Sequence, residues 1–419
     1  MRIKSIKFLS DYKQFKKGQK FHFSSFEKEN VSKTNTKFSV LVGRNGSGKT
    51  TLMSLIPTLF HHIERYNGKI PANFELNYEI RGIDVTISHF ENLIKVTVTN
   101  NYNNVQLVPK KNPRQNDFSM INKGEKYIEY SLFKQYTPFS IVSSTFSLHG
   151  EYPTARPNNY DGHQIVSDQS ITNIYGKNHW QMGSISRGIL RFIRLFFESK
   201  SEIKELLKLF DLKFTNRVEH KYHGAESNWM EVDSSWLKKH DVEVQMEEAY
   251  LNDIEFERYG RKITLSNMSS GEKMLLLRAI SILNSIEKES IVIVEEPELH
   301  LDQIWNRQLM SLFQILFKDY TCHIIIATHD YSIINSVPKH NLILLEDGKS
   351  KRLNENTYLA SYDELFKVLY GDKFKENKIE EDFLKSISSK NKEELQFVYD
   401  EIGNSIYKYL VYRELKKRN

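Results

Sequence analysis

The sequence predicts an α/β fold: a mixed sheet core with an antiparallel side sheet, a helical insert and a helical C-terminal extension. Three observations carry that prediction. Short, wholly apolar runs such as Ile291-Val292-Ile293-Val294 and Ile324-Ile325-Ile326 read as strands buried on both faces. Stretches of helix-type apolar spacing alternate with them. Between residues 74 and 99, apolar and polar residues alternate in three segments, the pattern of half-buried antiparallel strands.

In chain order, residues 3–9 and 20–26 read as strands. Residues 38–42 form a short apolar strand that stops at Gly43. From residue 50 to 65, Leu52, Leu55, Ile56, Leu59, Phe60 and Ile63 trace one face of a helix. Residues 74–80, 83–89 and 93–99 build the side sheet, with Arg81-Gly82 as a tight turn. Residues 100–126, rich in Asn, Lys and Gly, read as an irregular loop, and 138–143 as a further buried strand. The domain organisation expected is therefore an α/β half at 1–148, a helical insert at 149–261, a second α/β half at 262–349 and a helical extension at 350–419. The insert's helical periodicity runs from 184 to 213 without a sustained heptad. In the extension it involves Leu365, Val368 and Leu369, then Ile402, Ile406, Tyr407, Leu410 and Val411.

Composition narrows the class. At 419 residues, with 39% hydrophobic and 27% charged residues, the chain is an ordinary globular protein of two or three domains, or one domain with insertions. No apolar run approaches the ~20 residues that cross a bilayer, so no membrane partner is expected. The first residues read as a strand, not a secretory signal. One cysteine, Cys322, excludes an internal disulfide and, lying in an apolar run, reads as a buried inert thiol. These features place the chain in the cytoplasm. The net charge of +6 permits nucleic-acid contact without requiring it.

Four motifs carry chemistry. The first is Gly43-Arg44-Asn45-Gly46-Ser47-Gly48-Lys49-Thr50, a phosphate-binding loop between a buried strand and an amphipathic helix opened by Thr50 and Thr51. Its glycines let main-chain N–H groups close around phosphates, and the helix N-terminus adds a positive end. Lys49 would reach the β- and γ-phosphates and Thr50 would ligate Mg²⁺. The second is the apolar strand ending in Glu295-Glu296-Pro297. Read alone this is an acidic turn; read with the loop, Glu295 would hold Mg²⁺ and Glu296 would activate the attacking water. The third, Ser269-Ser270-Gly271-Glu272, opens a helix with Leu275, Leu276, Ala279, Ile280 and Leu283 on its one apolar side, and is equally a capping box. The fourth is a strand that delivers His329, on its own a structural histidine more often than a ligand.

Taken together, in this order and spacing, the four motifs resemble the ABC ATPase superfamily. His329 follows Glu296 by 33 positions, as that family's switch histidine would. The resemblance implies an ABC-type P-loop ATPase head that uses ATP and Mg²⁺, with Glu296, His329 and Lys49 catalytic. It implies that Ser269, Ser270, Gly271 and Glu272 of one head complete the γ-phosphate site of another, and that Asp302 lies in the loop crossing between them. The string Glu296-Pro297-Glu298-Leu299-His300-Leu301 is similar to that of the branch containing RecF, SMC and OLD-type proteins. The sequence departs from the pattern in three places: Glu295 for the usual aspartate, Asp302-Gln303 for a common His-Pro, and no glutamine after the strand near Ser143, where Ser144 or Thr145 could substitute. Tyr12 or Phe15 is the candidate for stacking on adenine.

The insert is too short for an SMC coiled coil, and the segment 347–419 is too short for a nuclease domain. The chain thus resembles stand-alone ATPases of bacterial anti-phage systems such as Septu and PARIS. That resemblance implies a homodimer or higher even homo-oligomer joined through the heads, holding a separate effector through the insert or the C-terminal helices. A DNA-repair ATPase and an ATP-dependent scaffold with little turnover are the alternatives.

Overall fold

Strands of a parallel sheet packed on both faces have no solvated side, and the central strands here are buried at nearly every position. The computed structural model describes residues 1–23, 36–65, 70–91, 93–98, 102–109, 118–122, 127–128, 134–144, 152, 164–167, 179–222, 224–245, 249–299, 301–370, 378–403 and 405–418. The strands are β1 (Arg2–Phe8), β2 (Lys20–His22), β3 (Lys37–Val42), β4 (Phe74–Ile80), β5 (Ile83–Phe90), β6 (Leu93–Val98), β7 (Tyr102–Pro109), β8 (Phe118–Asn122), β9 (Tyr127–Ile128), β10 (Ser140–Ser144), β11 (Gln164–Ser167), β12 (Lys213–Tyr222), β13 (Asn228–Glu231), β14 (Ala249–Arg258), β15 (Arg261–Thr264), β16 (Ile291–Glu295), β17 (His323–Thr328), β18 (Leu342–Glu346) and β19 (Lys349–Lys351).

The core sheet runs β11-β10-β16-β17-β3-β18-β19 and is parallel except for the last pair. Its parallel strands therefore all deliver their carboxyl ends to one edge, where open α/β sheets bind ligands. The loop after β3, Glu295 at the end of β16 and His329 after β17 meet there. A second sheet, β2-β1-β4-β5-β6-β7-β8-β9, is antiparallel throughout. The helix Lys49–Arg65 contributes Leu52, Met53, Leu55, Ile56 and Leu59 to the large hydrophobic core that both sheets share. Arg81 and Gly82 both have positive φ (51° and 75°), the geometry of a type I′ hairpin turn, as their sequence suggested.

Three expectations are corrected. Residues 100–126 hold β7 and β8, not only loop. Strand preference depends on context, and the free edge of β6 supplies the main-chain partners that turn a polar segment into a strand, with Ile94 opposite Leu107. The insert is not purely helical: after the helices His179–Phe197 and Ser201–Leu209 comes a four-stranded antiparallel sheet, β13-β12-β14-β15, with the helix Ser234–Gln245. Two register shifts in the β12–β14 pairing, one at Asn216 in the left-handed region (φ 58°), break the period of two that would have shown these strands in the sequence. From Met274 to Leu283 the helix Ser270–Ser285 is buried on every face, not one. The insert helix His179–Phe197 covers the side expected to meet water; a Cβ at Gly188 would press on the Leu277 Cδ2 methyl, and Arg191 donates to Ser281 Oγ at 3.0 Å.

Residues 362–419 form a second unit of the helices Tyr362–Tyr370, Lys378–Ser389, Lys392–Glu401 and Ile406–Lys417. It carries its own small core of Ile387, Leu395, Val411 and Leu415. Among the described residues, no helix is long and apolar enough to cross a membrane.

Candidate functional site at the carboxyl edge of the core sheet

The phosphate loop is shaped by its glycines. Gly46 and Gly48 lie at φ +79° and +101°, open to glycine and strained for other residues, and a Cβ at Gly48 would collide with Gln14 and Phe15. The loop passes into the helix Lys49–Arg65, whose N-terminal end carries the positive end of the helix dipole and favours an anion. Lys49 is buried and folds back to donate to the carbonyls of Gly43 (2.7 Å) and Arg44 (3.2 Å). Burial pushes its ammonium below the usual lysine range, while the charges of Glu296, Glu295 and Glu298 pull the other way.

Nucleotide and Mg²⁺ are implied by this class of loop, and the residues fit them. Ser47 Oγ is buried with no hydrogen-bond partner, a donor waiting for an acceptor inside the loop. Lys49 and the loop amides would hold the phosphates, and Thr50 and Glu295 the cation, which supplies charge neutralisation at the phosphoryl group.

The carboxylates are held differently. Glu295, the last residue of β16, is buried, and Tyr152 donates to its Oε1 at 2.9 Å. Glu296 is half-buried and sits at φ 41°, a left-handed conformation rare for a side-chain-bearing residue, secured by its N–H to Ala327 O (2.8 Å). Strain of this kind persists only where the surroundings impose it, and it gathers at functional sites. His329 is 49% exposed, its Nδ1 3.9 Å from Glu296 and 3.6 Å from Glu298. Glu298 is what fixes the histidine's segment: its Oε1 accepts from Thr328 Oγ1 (2.6 Å) and from the N–H of His329 (3.1 Å). Burial pushes its carboxyl above the usual range.

The edge thus gathers the candidates Lys49, Glu295, Glu296 and His329. It adds two residues whose roles the sequence did not reveal, Glu298 and Tyr152. The string around Glu298 was visible as a motif; Tyr152 had no local signal. Phe15 is removed from the adenine candidates: it is wholly buried, stacked on Phe8 with ring centres 4.6 Å apart. Tyr12 is partly buried against the same core, and its neighbour Lys13 reaches Thr51 Oγ1 at 3.4 Å.

Ser269 caps the helix Ser270–Ser285 with a full capping box: its hydroxyl accepts from Glu272 N, and Glu272 accepts from Ser269 N. Ser269 and Ser270 are exposed and Gly271 is buried. Asp302 caps the helix Gln303–Leu316, accepting from Trp305 N at 2.9 Å. Among the described residues no group of three His, Cys, Asp or Glu side chains forms a preassembled metal site. His300 lies outside them.

A buried parallel sheet, a glycine loop and a helix beginning at Lys49 define a P-loop ATPase fold. A family model described as "AAA domain, putative AbiEii toxin, Type IV TA system" matches residues 38–335, well over half the chain, and the protein belongs to that family. A shorter likeness is to the lipoprotein-releasing system ATP-binding protein LolD of Buchnera aphidicola subsp. Acyrthosiphon pisum (strain APS), 34% identical over 73 residues. That match covers 17% of this chain and 31% of LolD, less than a third of the relative's length. Among solved structures, the SMC head domain from Thermotoga maritima aligns over 84% of this chain and 97% of its own, with 16% identity and a TM-score of 0.40. An Smc head domain with an extended coiled coil, bound to the C-terminal domain of ScpA and derived from Pyrococcus furiosus, aligns over 89% and 100%, with 12% identity and a TM-score of 0.36.

Proposed function

We propose that the protein binds and hydrolyses ATP with Mg²⁺, and that two copies meet head to head to do so. The observation that carries this is the convergence of Lys49, Glu295, Glu296 and His329 on one sheet edge beside a loop with an unfilled donor at Ser47. Lys49 and Thr50 bind Mg·ATP together with Glu295. Glu296, beside His329, takes the proton of the attacking water. The exposed start of the helix at Ser269 and Ser270 offers a second head's γ-phosphate an anion site.

The cellular role we propose is regulation of a separate toxic effector in an anti-phage system, with ATP state deciding whether the effector is held. The family's description, which names a toxin–antitoxin system, favours this over DNA repair. Exposed Phe397, Tyr409 and Tyr412 on the C-terminal helices suit an effector contact.

Glu296→Gln tests the enzymatic reading. It removes a general base worth about 10²–10⁴-fold, so turnover should collapse while ATP binding persists. Light scattering should then show the mass doubling with ATP. Unchanged turnover excludes the mechanism, and a mass that stays at one chain excludes the paired heads.

A further inference from the structure

Glu295 is a buried carboxylate at the end of a buried strand, and a charge in that position is costly unless hydrogen-bond donors meet it. One donor comes from far along the chain: the Tyr152 hydroxyl, 2.9 Å from Glu295 Oε1. The ring of Tyr152 is 3% exposed and belongs to the same core as Ile141 of β10 and Ile291 and Ile293 of β16. Packing therefore fixes both torsions of the side chain, and the hydroxyl has one place to point. A tyrosine is large and amphipathic, so it can be anchored by its ring and act by its oxygen. It lies eight positions after Ser144, the end of β10.

We infer that Tyr152 is a positioning residue for the metal site: it holds Glu295 in the orientation that receives the divalent cation. This rests on the reading of Glu295 as a metal ligand. A carboxylate with one oxygen pinned by a neutral donor presents its remaining lone pairs in a fixed direction. Partners of this kind around metal ligands are worth about 10–100-fold in metal affinity.

The test uses the full-length chain and Tyr152→Phe, which keeps the packing of the ring and removes only the hydroxyl. Mn²⁺ serves as the probe cation, its free concentration read by electron paramagnetic resonance in the presence of a non-hydrolysable ATP analogue. Affinity of the same analogue is measured separately in EDTA. The expected result is Mn²⁺ affinity lowered about 10–100-fold with metal-free nucleotide affinity unchanged. Wild-type Mn²⁺ affinity in the variant overturns the inference. So does an equal loss of metal-free nucleotide affinity, which makes Tyr152 merely structural. If the wild-type chain binds the analogue but no Mn²⁺, Glu295 is not a metal ligand and the inference fails while nucleotide binding stands. If it binds neither, the ATPase reading itself fails.

Discussion

His323 shows how one residue can record its surroundings as a pH dependence. It opens β17 and is wholly buried; the N–H of Ile3 donates to its Nδ1 (3.0 Å) and its Nε2 pairs with Ser39 Oγ (2.9 Å). Burial, with the nearby N-terminus, Arg2 and Lys37, pushes its pKa down to about 3. The folded state thus stays unprotonated where the unfolded chain, near 6.5, takes up a proton. Stability from this group is full above about pH 6.5 and falls as the pH drops toward about 3, by up to ~1.4 kcal/mol per unit. His323→Asn should lower the urea midpoint at pH 7.5, and its gap from wild type should narrow at pH 5. A constant gap between those pH values would show that protonation is not what the site resists. Cys322 beside it is equally enclosed, its thiol pushed up to about 12 by burial, in keeping with the inert role its apolar neighbours predicted.

At the scale of elements, β14 and the helix Ser270–Ser285 act as one piece. Arg258, the last residue of β14, pairs with Glu272 at 3.0 Å, both mostly buried. Asp253 of the same strand accepts from Ser266 N at 3.1 Å and from the Ser266 hydroxyl. The strand grips the segment before the helix at both ends, and Glu272 serves the capping box and the ion pair together. Ser269→Ala should cost about 1 kcal/mol, and Arg258→Ala about 1–3 kcal/mol, by urea denaturation. Because both act through Glu272, the double variant should depart from the sum by more than ~0.5 kcal/mol; strict additivity would separate the two contacts.

The elements also show what could be read in advance. The strand 74–80 and the loop-bearing helix were legible because their burial repeats at two or 3.6 residues and short-range turn chemistry bounds them. The insert sheet was not, because bulges at Phe214/Arg217 and Glu219/His220 reset its period. Nor was the full burial of the helix Ser270–Ser285, since no local pattern records which distant helix will cover its second face. In the site, Lys49, Glu295, Glu296 and His329 were legible because each sits at a fixed offset from an apolar strand. Tyr152 was not: its meaning lies in a contact spanning 143 residues.

At the scale of the molecule, the chain divides into residues 1–361 and 362–419. The candidate residues Lys49, Glu295, Glu296 and His329 all lie in the first. Removing residues 362–419 should change ATP affinity by less than about twofold, measured by titration calorimetry, while effector co-purification is lost. Retained co-purification would move the partner surface to the insert, and lost nucleotide binding would mean the division is not functional.

The sequence by itself determined the phosphate loop, the strands that carry it and the acidic strand end, because these depend on local periodicity and on residue types that one chemistry demands. Only the tertiary structure decided what holds those groups in place: Glu298 beside Thr328 and His329, Arg258 on the capping box, and Tyr152 on the carboxylate. Side chains far apart in the chain meet by packing, and packing is a property of the whole fold that no window of sequence contains.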